Sequence, residues 1–478
     1  MLSHIADLLW LHSLIMGFIL LVFGLALARR SLFRWTTAGF WSWSAFTLYF
    51  FLNPLFSLLG NDLWRYAVRL NLSGGIARGQ WISFVAAVGI VAFFTAYLGT
   101  KSHPVTWKLR LADDQISTPV KLVMAGFIAF ATYSLLVYRA RLLTGRGNLL
   151  IENGRFIGET TSYEYGGHIF LFIPLVLLIL SPSRLHRSLG WLIGGLYIIL
   201  SLSDEWARYT IVSILLAMLL ADMLQRDKSR PRIALLISVV LMGAVLQARG
   251  HNSLTSSTEF YKLAVQVPGQ VNQLLASGDT AMLATWHLES YIKDTVTGYD
   301  YGLPFLNYVL FGAIPSAIFP QKYFLVDWLR SVQPPVLNPV FPQLMYGAKS
   351  SLMGSFYRNG GLIFVIFEMG LAGIFSRKLD GMLAKNSPLL VRAIGVSWLS
   401  LFWIVWGSSD SWAAIQLGSV LMPALAIWLV SPKADNLPAQ GSRIVATDHL
   451  GHRHHPVVST GRLSTGEKYF IHRKQNLR

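Results

Sequence analysis

A chain of 478 residues with 53% hydrophobic and only 13% charged side chains, at a mean hydropathy of +0.48, is not a soluble multidomain protein; apolar runs recurring from end to end make it an all-α, polytopic membrane protein. The formal net charge of +17 is divided among many connections instead of being gathered on one soluble face, and no nucleic-acid module is evident. With no cysteine, disulfides, thiolate nucleophiles and Cys-type zinc sites are excluded, and the redox compartment is undetermined.

In chain order the apolar runs predict about eleven spans, at 8–28, 36–60, 81–98, 119–138, 166–181, 189–203, 207–224, 232–248, 359–376, 388–407 and 413–431. The first is full-length and is followed by Arg29 and Arg30 instead of a small-residue cleavage site, so it is expected to remain as a span. Several runs fall short of the roughly 20 residues of a perpendicular crossing, so their flanks must extend them or the bilayer must thin. Asn53 and Pro54 inside the second run predict a local break in helical hydrogen bonding. Residues 1–431 thus read as one membrane domain and 432–478 as a basic, disordered tail.

Lysine and arginine near span ends set the orientation. Arg29, Arg30 and Arg34; Lys101, Lys108 and Arg110; Arg184 and Arg187; Arg226, Lys228, Arg230 and Arg232; and Arg377, Lys378 and Lys385 fall in alternate connections. Those connections are placed in the cytoplasm together with the tail, which puts the N-terminus outside. The short outward connections hold Arg65, Arg69, Arg78, Arg139, Arg141, Arg146, Arg155 and Arg208, and no lysine. A guanidinium fork grips phosphate oxygens through paired hydrogen bonds where an ammonium is a point charge, so an arginine-only set points to a fixed oxyanion ligand. Each arginine taken alone reads equally well as an interfacial anchor.

The long outward segment, about 249–358, exceeds any mere connector and reads as a cover over a site. Within it the run from Leu303 to Phe319 is broken by Gly312 and Pro315, which predicts a re-entrant or interfacial piece instead of a crossing. Glu368 falls near the middle of the ninth span, as a functional group or an interhelical strut, and Gly370 with Gly373 beside it predicts close helix packing. The tail histidines His449, His452, His454 and His455 lack a fold that would fix ligand geometry, so no metal site is expected, and the tail reads as attracted to anionic lipid heads.

Three stretches carry a resemblance: IPSAIFPQK from Ile314 to Lys322, YRNGGLIFVIFEMGLAG from Tyr357 to Gly373, and SDEWARYTIVSILLAMLLA from Ser203 to Ala221. Together with the long outward loop they resemble the Wzy-type O-antigen polymerases of bacterial envelopes, although Ser316 stands where that family has an arginine. The resemblance implies a membrane-embedded, inverting, metal-independent glycosyltransferase without a cofactor, in the bacterial cytoplasmic (inner) membrane. It would join undecaprenyl-pyrophosphate-linked oligosaccharide units on the outer face, for O-antigen, capsule or exopolysaccharide, alongside a chain-length regulator and other polysaccharide-assembly proteins.

Breaking a sugar to pyrophosphate bond builds negative charge on the leaving group, which guanidinium groups in a water-poor site stabilise. Arg208 and Arg249 come first for that role and Arg139 and Arg141 next, while the resemblance adds Lys322 and Arg358. The acceptor hydroxyl needs a proton acceptor. Candidates on the same side are His251, Glu164, His168 and Asp204, with Glu205, His287 and Glu289 behind them. A ligase moving finished lipid-linked glycan would use the same donor. A flippase would alternate access around a midplane site between internal repeats, and no duplicated pattern relates the two halves.

Overall fold

The computed structural model describes residues 2–59, 63–72, 75–105, 116–143, 150–152, 155–157, 167–201, 208–228, 231–233, 282–311, 319–335, 351–408 and 410–431, and the apolar runs among them fold as helices. Helix α1 is Leu2–Arg29. α2 (Ala38–Phe46) continues through a π-helical stretch, Thr47–Leu52, into α3 (Asn53–Leu59). Then come α4 (Trp64–Leu72), α5 (Ile76–Gly99) and α6 (Thr118–Leu143). A 3-10 turn, Gly167–Leu171, leads into α7 (Phe172–Leu180), followed by α8 (Arg184–Ser201) and α9 (Arg208–Gln225). α10 (Met282–Ile292) runs into a second π segment, Lys293–Thr297. The remaining helices are α11 (Leu303–Phe311), α12 (Phe324–Val332), α13 (Ser351–Met382), α14 (Leu389–Gly407) and α15 (Asp410–Val430).

Six of these stretches are long and apolar enough to cross a membrane: Leu2–Arg29, Ala38–Leu59, Ile76–Gly99, Thr118–Leu136, Ser351–Met382 and Leu389–Gly407. Shorter apolar helices, Ile169–Leu180, Ile211–Gln225 and Gln416–Val430, coincide with the predicted fifth, seventh and eleventh spans. Among the described residues the helix lengths therefore support a multi-pass membrane protein with six helices long enough to cross, and they do not confirm the count of eleven; nearly all of the predicted eighth span lies outside the described residues. Leu14, Phe18, Leu21 and Leu25 form an exposed apolar stripe on α1, and Ile363, Phe367, Leu371 and Ile374 form another on α13. Helical spacing on an outer surface suits lipid and not water.

Among the described residues the departure from an all-helical chain is small. β1 (Leu150–Glu152) pairs antiparallel with β2 (Arg155–Ile157), Leu150 opposite Ile157 and Glu152 opposite Arg155. The dipeptide that separates them in sequence is Asn153-Gly154, the pair most favoured in two-residue hairpin connections.

The predicted break at Pro54 has a physical consequence. Proline has no N–H, so the carbonyl of Phe50 loses its helical partner, and the hydrogen bonds widen to the π pattern, with the Asn53 N–H reaching Leu48 O. His12 from α1 donates Nε2–H to the freed Phe50 carbonyl at 2.9 Å, and its Nδ1 lies 2.9 Å from Ser83 Oγ on α5. A buried histidine thereby joins three helices.

α5 and α13 pack along much of their length, and small residues permit it. Gly89 of α5 faces Met353 and Val365, while Gly373 of α13 lies against the backbone of Phe93 and Tyr97. At the end bearing Arg29, Arg30, Lys101 and Arg377, Asp380 accepts the Ala38 N–H at 2.7 Å and capped contacts from Tyr97 and Arg377 at 2.5 and 3.0 Å. A carboxylate at the N-terminus of α2 supplies the acceptor that its orphan amide needs.

Candidate functional site

The opposite end of the bundle carries a dense polar network, and its origin is a break in α13. Gly360 and Gly361 leave helical geometry, and Gly361 adopts φ +68, a conformation that glycine takes without strain. The kink removes the helical partners of the Arg358 and Asn359 carbonyls. The turn after the second π segment takes them up: Asp300 N–H donates to Arg358 O at 2.9 Å, and Tyr301 N–H to Asn359 O at 3.0 Å. That turn is GYDYG, with Gly298 at φ +74, Gly302 at φ +73 and Tyr301 at φ +51. A tyrosine in left-handed geometry is strained, and such strain persists only where surrounding bonds hold it.

Arg358 projects from the kink between two carboxylates. Its Nε is 3.3 Å from Asp300 Oδ2 and its Nη1 is 4.0 Å from Glu289 Oε1. Asp300 also receives Lys293 Nζ at 2.6 Å and Gln333 Nε2 at 3.0 Å. Beside this, Arg78 at the start of α5 pairs with Asp294 and donates to Ser290 O at 2.7 Å. Asp294 further accepts Tyr357 OH and Tyr299 OH, each at 2.8 Å. Burial and the bond to Asp294 push the Tyr299 phenol up, so it stays a donor. Phe50, Trp286, Tyr357 and Tyr299 follow one another edge to face and wall the network on one side.

Three cations, Arg78, Lys293 and Arg358, thus meet three carboxylates, Glu289, Asp294 and Asp300. A balanced set offers an anion little net attraction. Its value lies in fixed donors and acceptors, with Asp294 and Tyr301 on the exposed side.

Under the network, His287 is fully buried, and neither ring nitrogen has a hydrogen-bond partner among the described residues. Its ring lies against Gly79 of α5. Burial takes the imidazole from its ordinary value of 6.5 down to about 3, with His12 and Arg78 acting in the same sense. The unfolded imidazole therefore binds its proton first as pH falls. The stability that neutral His287 contributes is full above pH 6.5 and drains away as pH falls towards 3. The thermal midpoint of the wild-type protein should drop more steeply from about pH 7 to about pH 5 than that of His287→Asn. Parallel slopes would exclude a neutral buried imidazole here.

Of the residues singled out from sequence, Arg358, Arg78, His287 and Glu289 come together. The Lys322 side chain is buried just ahead of α12, its carbonyl accepts Asn307 Nδ2 at 2.9 Å, and its Nζ lies 5.1 Å from the Tyr323 ring. Arg139 and Arg141 fall in the last turns of α6, His168 in the 3-10 turn, and Arg208 begins α9; their side chains are outside the described residues. Glu164, Asp204, Arg249 and His251 lie outside the described residues altogether. Glu368 accepts Asn359 Nδ2 at 3.2 Å on both oxygens, so it braces the two halves of kinked α13. Asp294, Tyr299 and Asp300 were missed; an acid and two tyrosines between glycines in the long segment 249–358 was the available signal. Among the described residues no group of three or more His, Asp or Glu is placed to hold a metal ion. No known protein family matches the chain, and neither a curated protein nor a solved structure is similar to it.

Proposed function

We propose that the protein is a membrane-embedded glycosyltransferase that joins lipid-pyrophosphate-linked oligosaccharide repeat units, and that the network between α10 and kinked α13 seats the acceptor sugar on the outer face of the membrane. The observation that carries this reading is the convergence of Arg78, Asp294, Asp300 and Arg358 with an exposed, strained Tyr301 at the end of the bundle opposite Arg29, Arg30, Lys101 and Arg377. The C–H face of a pyranose stacks on an aromatic ring, and its hydroxyls pair with planar carboxylates, amides and guanidinium groups.

In this reading Asp294, at the exposed edge, orients the attacking hydroxyl. The hydroxyl oxygen bonds to the donor's anomeric carbon and its proton passes to the carboxylate. The bond to pyrophosphate breaks, and its electron pair leaves with the lipid carrier. Because the described network is balanced in charge, the grip on pyrophosphate falls to Arg208, Arg249, Arg139 and Arg141.

A strain lacking the protein tests the class of reaction. Its surface glycan should run as a single repeat unit, still exported and attached, with long chains absent on a gel. Long polymer stranded on the lipid carrier would replace this reading with a ligase, and units trapped inside the cell would replace it with a flippase.

A further inference from the structure

At the basic end of the bundle, α7, α8 and α9 enclose a cleft of about 330 Å³ that is separate from the network described above. Four arginines line it: Arg184, Arg187, Arg226 and Arg232. A single carboxylate, Asp222, faces them, and it is already engaged by Arg226 Nε at 2.8 Å and Arg232 Nη2 at 3.3 Å. Arg184 and Arg187 have no carboxylate partner among the described residues. Both sit in the first turn of α8, which holds no acidic residue. The positive end of a helix dipole disfavours cations, so two arginines there gain from an anion between them.

The wall of the cleft continues into a lipid-type surface. Leu185, Leu189, Leu192, Leu196 and Ile199 lie exposed along one face of α8, running from the cleft towards the other end of the helix. The opposite face is packed through Gly190 and Gly194. Ser188 and Trp191 also line the cleft, a hydroxyl donor and an amphipathic ring of the kind that settles at head-group depth.

We propose that this cleft binds the phosphate of an anionic membrane phospholipid, with its acyl chains along the exposed leucines of α8. Guanidinium forks from Arg184 and Arg187 hold the phosphodiester, and Arg226 and Arg232, fixed by Asp222, supply the remaining positive field. A free phosphate would meet the same arginines but would gain nothing from the apolar stripe. The site needs no part of the transfer reaction and stands without it.

The test uses the full chain in micelles of phosphatidylcholine doped with phosphatidylglycerol, read by native mass spectrometry and by thermal midpoint. Wild-type protein should retain phosphatidylglycerol in preference to phosphatidylcholine. The double variant Arg184→Ala/Arg187→Ala should bind it about tenfold more weakly or worse. Arg29→Ala/Arg34→Ala removes equal charge from the same end outside the cleft and should bind as wild type does. Both double variants should melt with the wild type in pure phosphatidylcholine, which separates binding from folding. Undiminished phosphatidylglycerol retention by Arg184→Ala/Arg187→Ala would overturn the site, as would equal loss in the Arg29/Arg34 control. If inorganic phosphate in phosphatidylcholine micelles raises the midpoint as far as phosphatidylglycerol does, the lipid assignment falls.

Discussion

Gly373→Ala should leave little folded protein in the membrane, whereas Gly370→Ala should accumulate as the wild type does. A Cβ at Gly373 would press into the carbonyl oxygen of Phe93 and stand 3.1 Å from Phe93 C and Tyr97 N, all of them backbone atoms of α5. Side chains can swing aside from such a clash, but a helix backbone cannot. The α5 and α13 axes must therefore separate along a pair that packs over much of its length. Overpacking typically costs 1–3 kcal/mol and sometimes more, and roughly 3 kcal/mol is expected where the obstacle is backbone. At Gly370 a Cβ meets nothing within 4 Å, so alanine there should be neutral or slightly stabilising through helix propensity. Folded fraction after extraction, followed through a denaturant titration, decides the matter. Equal stability of the two variants would mean that α5 and α13 do not approach as described.

On the polymerase reading proposed above, Arg358→Ala should abolish long glycan chains and destabilise the protein together. The guanidinium stands between Asp300 and Glu289, whose side chains are 6% and 8% exposed. Removing one member of a buried ion cluster leaves the others desolvated and unpaired, which costs about 3–5 kcal/mol. Lys293 and Gln333 still reach Asp300, so the lower end of that range is expected. Arg358→Ala/Asp300→Asn should recover part of the loss, because the stranded charge is gone. Arg358→Lys keeps the charge but cannot address two carboxylates through a planar fork, so it should fold and still make shortened chains. Chain length on gels at matched protein level, beside thermal midpoints, separates the two effects. Full-length polymer and an unchanged midpoint in Arg358→Ala would remove Arg358 from both roles.

These two positions mark how far the sequence reaches. Apolar runs of membrane length, the break before Pro54 and the close approach at Gly373 in the ninth span were all legible, because each follows from local composition or from a backbone property of one residue. The helices at 2–29, 76–99, 118–143 and 389–407 lie close to the predicted spans for that reason. The count of eleven does not follow from composition alone, since an apolar run of 10–15 residues is compatible with a crossing, a half-crossing or a buried helix. Sequence also named Arg358, Arg78 and the pair His287 with Glu289, with no means of bringing the three together.

Grouping belongs to the tertiary structure. Arg78 meets Asp294 across 216 positions of sequence, and Tyr357 meets the same carboxylate across 63. No local pattern records such pairings; they exist because the kink at Gly360 and Gly361 exposes two carbonyls that the GYDYG turn must satisfy. The same holds for the glycines. Sequence saw Gly370 and Gly373 as equivalent small residues, and only the approach of α5 makes one indispensable and the other free. Composition determined that the chain would be helical and membrane-borne, because burying backbone polar groups in lipid leaves few alternatives. Which side chains face one another was decided by packing, where one backbone contact or one freed carbonyl selects the partner.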